Sequence, residues 1–221
     1  MKREIIITSD GSTSIHIPEW DEQYHSKHGA IQEAYHVFIK NGLSLFENQK
    51  IDVLEIGFGT GLNCFITFIE SKKFGLKIDY VGAEKYPISD EECSHLNFVS
   101  ELNANQFRDV FDRMHSGPWE SKQLLEDEFY LTKRQQDFKD IDNKNVFNLI
   151  YFDAFGARVQ PELWTVEIFQ KMYDALKTGG VLVTYAAKGS VRRAMIEVGF
   201  EVEKLKGPPG KREMLRAKKV L

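Results

Sequence analysis

Glycines stand at every second position in Glu55-Ile56-Gly57-Phe58-Gly59-Thr60-Gly61-Leu62-Asn63, directly after an apolar run over residues 51–56. Lacking Cβ, Gly57, Gly59 and Gly61 allow a tight turn and a close approach of backbone to a ligand. The N–H groups that open a following helix then point at whatever anionic group binds there. A dinucleotide fingerprint would place its third glycine where Leu62 stands, which counts against a nicotinamide cofactor. A second acid, Glu84, ends the apolar run 77–83, and at the tip of a strand it reaches ribose hydroxyls. A third, Asp153, ends the run 146–152 and is followed by Phe155. Singly, these are a structural turn and two loop carboxylates. Jointly, they place three acids at the ends of three buried runs, where open α/β sheets bind ligands.

The elements that must position them follow from periodicity. Residues 51–56, 77–83, 129–132, 146–152, 181–186, 200–204 and 212–217 have the length and β-branched or aromatic content of strands. Leu62, Phe65, Ile66 and Ile69 repeat at helical spacing after the glycine turn. Ser89 with Glu92 forms a capping box that starts a helix at Asp90, and a second helix is expected over 104–114. Pro161 is expected to open a helix that runs to Lys177, before Gly179-Gly180. Residues 4–8 and 13–17 flank Ser9-Asp10-Gly11-Ser12 as a hairpin, and a helix begins near Ala30. The fold class expected is α/β: a Rossmann-like, mostly parallel seven-stranded sheet with an antiparallel C-terminal hairpin and an N-terminal β-hairpin extension.

With 221 residues, 42% of them hydrophobic, the chain fits one domain, 1–221, divided into an extension over 1–45 and a ligand-binding core over 46–221. No apolar run approaches the length of a membrane span, and no targeting signal is visible, so a soluble cytoplasmic protein is expected. Cys64 and Cys93 read as buried thiols, and His25, His28 and His36 lack companions at ligand spacing, so no metal is expected. A net charge of -4 means that a nucleic-acid partner needs a local basic patch. Seven basic residues between Lys204 and Lys219, with Lys188, Arg192 and Arg193 before them, form a candidate patch or an ordinary solvated face.

The glycine pattern resembles that of class I S-adenosyl-L-methionine (SAM) methyltransferases. With Glu84-Lys85-Tyr86-Pro87, Phe152-Asp153-x-Phe155, Pro161-x-x-Trp164, Val191-Arg192-Arg193 and Lys211-Arg212-Glu213-Met214, nearly the whole chain is similar to the MnmC-type methyltransferases. That resemblance implies a stand-alone, MnmD-type enzyme without the FAD oxidoreductase of the longer members. It implies transfer of methyl from SAM to 5-aminomethyl-2-thiouridine at the tRNA wobble position. Cofactor contacts would come from Tyr24, Glu55, Gly57, Gly59, Thr60, Gly61, Asn63, Glu84, Lys85, Gln135 and Asp153. Asp153 would orient the amine and take its proton, with Phe155 and Tyr24 against the uracil. Lys188, Arg192, Arg193, Lys211 and Arg212 would contact tRNA. Bifunctional members carry Gly-Asp where this chain has Arg134-Gln135, and their segment after the aspartate differs from 156–160. The competing readings are a SAM enzyme acting on a small-molecule or protein amine, and a tRNA- or SAM-binding module without turnover.

Overall fold

Buried parallel strands present alternate side chains to two helical layers, so each strand must be apolar on both faces. The computed structural model of the chain describes residues 2–220; Met1 and Leu221, the outermost residues of the expected domain, lie outside the described residues. Its strands are β1 (Glu4–Ile7), β2 (Thr13–Ile17), β3 (Glu22–Gln23), β4 (Lys50–Ile56), β5 (Lys77–Ala83) and β6 (Lys122–Glu126). They continue with β7 (Phe129–Arg134), β8 (Phe147–Phe152), β9 (Leu176–Thr184), β10 (Glu201–Lys206) and β11 (Glu213–Lys218). The helices are α1 (Ala30–Ala34), α2 (Leu62–Lys73), α3 (Asp90–Ser94), α4 (Phe98–Glu101), α5 (Arg108–Ser116), α6 (Val166–Ala175) and α7 (Gly189–Glu197).

The main sheet has the order β10-β11-β9-β8-β4-β5-β7-β6. Five central strands are parallel: β4 pairs with β5 and β8, β5 with β7, and β8 with β9. At one edge β11 runs antiparallel between β9 and β10, as the expected C-terminal hairpin requires. Strands β1 to β3 form a separate antiparallel sheet, with the Asp10-Gly11 turn joining β1 to β2. Side chains of α1, α2 and α5 pack on one face of the main sheet, and those of α6 and α7 on the other.

Several expectations need correction. Among the described residues the main sheet has eight strands, not seven, because β6 adds an antiparallel edge to β7. An edge strand needs few buried side chains; Leu124 is 53% exposed, so no apolar run marks it. Pro161 opens only a 3-10 turn, Pro161–Leu163, and α6 starts after Thr165, whose hydroxyl accepts the Ile168 N–H and caps the helix. That helix ends at Ala175, and the chain is already in β9 at Leu176, before the paired glycines. The helix expected over 104–114 is a 3-10 turn, Asn105–Phe107, followed by α5. The helix from Ala30 becomes π-helical over Tyr35–Lys40.

Candidate active site

The alternation of side chains in β4 and β8 sets the positions of two carboxylates. Ile51 and Val53 face α2, Leu54 and Ile56 face α6 and α7, and Glu55 falls on the α2 side. In β8, Leu149 and Tyr151 face α2, so Asp153, the next residue of that parity, meets the start of α2. There Asn63 bridges the two acids: its Nδ2 donates to Glu55 Oε1 at 2.9 Å and to Asp153 Oδ2 at 2.8 Å. The Tyr80 hydroxyl donates to the other Glu55 oxygen at 2.9 Å. Burial pushes the Glu55 carboxyl well above the usual carboxylate range. Burial also raises the Asp153 pKa to about 7; the negative charge of Glu33 adds to this, while the Asn63 hydrogen bond and Lys211 oppose it.

A cavity of about 480 Å³ opens here, at the C-terminal ends of β4, β5 and β8. It lies within the range of small-molecule sites, about 300 to 1,000 Å³. One wall is the turn Gly57-Phe58-Gly59-Thr60 with Asn63, Glu84 and Asp153; the other comes from the N-terminal sheet and its loops, including Trp20 and Tyr24, and from Glu33 of α1. Gly57 has φ +91°, and a Cβ there would stand 2.7 Å from the Asp153 carbonyl oxygen, so the turn and the end of β8 touch through backbone. Glu84 is fixed at the cavity by two backbone donors, Gly59 N–H at 3.1 Å and Tyr86 N–H at 2.8 Å.

Opposite the glycine turn stands an aromatic group. The Phe155 ring packs edge-on to Trp20 at 5.4 Å and to Tyr24 at 5.1 Å between centroids. Trp164 Nε1 donates to the Phe155 carbonyl at 2.8 Å. The Arg158 guanidinium donates to the carbonyls of Trp20 and Asp21 and to Glu22, tying the loop after Asp153 to the N-terminal extension. His25 joins the extension to the turn from within: its Nδ1 lies 3.0 Å from Ser14 Oγ and its Nε2 3.2 Å from Thr60 Oγ1. Burial lowers the His25 pKa to about 4, so the ring is neutral at physiological pH.

The cavity thus gathers Tyr24, Gly57, Gly59, Thr60, Asn63, Glu84, Lys85, Asp153, Phe155 and Lys211 from the residues singled out by sequence. The others lie elsewhere. Glu55 is fully buried behind Asn63 and does not line the cavity; it holds Asn63 instead. Gly61 precedes α2 in the left-handed conformation, outside the lining. Gln135 faces an adjoining groove, where its backbone N–H donates to Glu120; Asp137, Phe138 and Lys139 line the cavity in its place. Lys85 is paired with Asp137 at 2.7 Å. Arg192 and Arg193 lie on α7, away from the cavity, whereas Lys188 and Arg212 line a neighbouring depression.

Lys211, expected at the nucleic acid, is turned inward: its Nζ lies 2.6 Å from Glu33 Oε2 and 3.8 Å from the centroid of the Tyr185 ring. Glu33, only 8% exposed, is the participant that sequence reasoning missed. An acid in the first turn of a helix reads as ordinary charge complementarity, and its partner lies 178 residues away. Among the described residues, no three His, Cys, Asp or Glu side chains gather as a metal site. None of the described helices is long and apolar enough to cross a membrane.

Comparison with known proteins agrees with this geometry. Residues 124–220 match a family described as S-adenosyl-L-methionine-dependent methyltransferase. The tRNA 5-methylaminomethyl-2-thiouridine biosynthesis bifunctional protein MnmC of Cupriavidus metallidurans is 28% identical over 232 residues, covering 97% of this chain and 34% of the relative. The protein of the same name from Hydrogenovibrio crunogenus is 29% identical over 211 residues, covering 88% of this chain and 31% of the relative. The chain therefore spans about a third of the length of these relatives. Among solved structures, MNMC2 from Aquifex aeolicus superposes with a TM-score of 0.80 at 23% identity, over 98% of this chain and 70% of that one. Spermidine synthase from Thermotoga maritima gives 0.60 at 16% identity, over 97% and 67%. The fold is that of the Aquifex protein, and the sequence matches about a third of the bifunctional MnmC proteins.

The residues present fit SAM. Asn63 keeps a buried side-chain oxygen, Oδ1, without a partner among the described residues, although its Nδ2 is doubly engaged. The glycine turn leaves backbone open to the cavity, and Glu84 stands where ribose hydroxyls would be met.

Proposed function

We propose that this protein methylates the primary amine of 5-aminomethyl-2-thiouridine at the wobble position of tRNA, in the cytoplasm, with residues 1–221 acting as one methyltransferase unit. The donor is SAM, the cofactor of the family matched by residues 124–220. The observation that carries the reading is a carboxylate with a pKa near 7, Asp153, in the same cavity as a group of aromatic rings and the glycine turn. When bound, SAM supplies a methyl group on a sulfonium sulfur; the amine nitrogen takes the methyl as the sulfur leaves with the bonding pair as a neutral thioether.

The work of the chain is positioning and proton management. An alkylamine with an ordinary pKa of about 10.4 is cationic at neutral pH and has no free electron pair. Asp153 binds that ammonium and accepts one of its protons. A carboxylate near 7 is a far better acceptor than one at its ordinary value of about 3.9. Phe155, with Tyr24 and Trp20 around it, provides the flat apolar surface on which a uracil ring stacks, as unstacked bases do on aromatic side chains. Glu33, ion-paired with Lys211, puts a second carboxylate beside the incoming cation; its charge adds to the burial that raises the Asp153 pKa, and Lys211 opposes it. Gly57 and Gly59 bring backbone to the cofactor, Asn63 Oδ1 offers it an acceptor, and Glu84 takes the ribose hydroxyls.

The deciding experiment measures transfer of labelled methyl from SAM to total tRNA from cells lacking this protein, followed by nucleoside analysis. Label in 5-methylaminomethyl-2-thiouridine is the expected result. Label in free amines but not in tRNA would place the enzyme on small molecules. SAM binding without any transfer would leave a binding module.

The ribose contact has its own test. Glu84→Gln removes the charge from the acceptor while leaving its size, and weakens SAM binding by about tenfold to a hundredfold, as for a hydrogen bond to a charged group. Calorimetric titration with SAM reads this directly, and unchanged affinity would take Glu84 out of the cofactor site.

A further inference from the structure

Next to the cavity lies a second depression of about 390 Å³, which shares Gly156, Tyr185 and Lys211 with it. Its floor is apolar, built from Ala157, Trp164, Ala186, Ala187 and Val191. Its rim is charged: Arg158, Lys188, Lys211 and Arg212 against the single acid Glu213. Most of those charges are satisfied within the protein. Arg158 pairs with Glu22 at 3.1 Å, Lys211 with Glu33 at 2.6 Å, and Glu213 with Lys204 at 2.9 Å. Lys188 and Arg212 are exposed, and neither side chain makes a hydrogen bond or an ion pair among the described residues. Two cations without a hydrogen-bonded or ion-paired side-chain partner among the described residues therefore overlook an apolar hollow, Arg212 feeling only the charge of the neighbouring Glu213. That combination of a surface for a π-face and cations for a phosphate is the chemistry by which proteins hold single-stranded nucleotides.

The two hollows meet at Gly156, Tyr185 and Lys211, which line both, with Lys211 Nζ 3.8 Å from the centroid of the Tyr185 ring between them. Their occupants would be immediate neighbours, yet could not stack on each other. This is the arrangement of consecutive nucleotides splayed out of a loop for recognition. We propose that the second depression is a subsite for the nucleotide adjacent to the target uridine. It takes the base on its apolar floor and the phosphate at Lys188 and Arg212 while the target ring occupies the main cavity. The inference rests on the tRNA reading above and extends it from one nucleoside to two. It gives the enzyme a means of recognising its uridine within an unpaired loop.

The test uses anticodon stem-loop RNAs that carry the aminomethylated uridine, with either an intact nucleotide or an abasic one immediately 5′ or 3′ of it. Transfer of labelled methyl is followed for the wild-type protein, for Arg212→Ala, and for Ala187→Glu, which places a negative charge on the floor. On one side of the target, the wild type should lose about tenfold in kcat/KM when the base is missing, the scale of one base stacked on protein. In Ala187→Glu the intact and abasic RNAs of that side should be used at comparable rates, whereas Arg212→Ala, which removes a phosphate contact that both RNAs make, should slow both and keep the difference between them. A wild type indifferent to both abasic RNAs would overturn the subsite, as would an Ala187→Glu variant that discriminates as the wild type does or an Arg212→Ala variant as fast as the wild type on both RNAs. Failure of the wild type to methylate even the intact stem-loop would remove the tRNA reading itself, a result distinct from either of these. Melting curves of both variants exclude loss of fold as the cause; Ala187 lies on the partly exposed loop between β9 and α7.

Discussion

Asp153→Asn lowers methyl transfer by about a hundredfold to ten-thousandfold, the range for removal of a positioned acid–base group, while SAM still binds. Asparagine keeps the size of the side chain and can still meet Asn63, but it cannot accept the proton of an ammonium. The pH dependence carries the sign. With the Asp153 pKa raised to about 7, chiefly by burial, the proton-accepting carboxylate forms as pH rises through 7. For the wild type, kcat/KM should therefore climb through that region and level off above it, and the Asn variant should lack this limb. Stability moves the other way. A carboxyl whose folded pKa lies above its unfolded value is better protonated in the folded state, so the wild type loses stability as pH rises from about 4 to about 7. Above 7 the Asn variant should melt at a higher temperature than the wild type. Near wild-type turnover, or an unchanged pH limb, would sink the role. Lost SAM affinity with a normal rate at saturation would instead assign Asp153 to the ammonium of the cofactor.

Gly57→Ala should nearly abolish SAM binding and lower the melting temperature sharply. Two costs add. The residue is held at φ +91°, where any L side chain is strained by about 1–3 kcal/mol. Its new Cβ would also meet the Asp153 carbonyl oxygen at 2.7 Å, and that atom belongs to backbone, which cannot swing aside as a flexible side chain would. Relief requires the turn to part from the end of β8, which displaces the cofactor wall and Asp153 together. Gly179→Ala provides the control, since Gly179 has φ +81° and a Cβ there would meet nothing within 4 Å, so it carries the conformational cost alone. Calorimetric titration with SAM and thermal melts compare the two. If Gly57→Ala melts like Gly179→Ala and binds SAM like the wild type, the contact between turn and strand end has no role in the site.

The legible parts of this protein are those in which a local pattern is sufficient. Central parallel strands are buried on both faces and stand out as apolar runs; β5 and β8 each lead into an acid, and β4 carries Glu55 next to its end. Because ligands bind beyond the carboxyl ends of such strands, Glu84 and Asp153 can be assigned to a site from the sequence. Edge strand β6 is not legible, because half-exposed residues such as Leu124 leave no periodic signal. Pro161 misleads because a proline favours the first position of a 3-10 turn and of an α-helix equally, and only the Thr165 cap shows where α6 starts.

Local sequence is enough to set the central parallel strands and the helix after the glycine turn, the turn itself, the class of cofactor and the carboxylates at the strand ends. Each depends on residues a few positions apart, whose backbone preferences and side-chain parity are local properties. Only the folded chain buries Glu55 behind Asn63, turns Lys211 inward to Glu33, and brings Trp20 and Tyr24 against Phe155. The last two join residues far apart in the chain, through the docking of the N-terminal extension over the sheet, whereas Glu55 and Asn63 stand on either side of the glycine turn. Their energies depend on burial and on partners that no local spacing records.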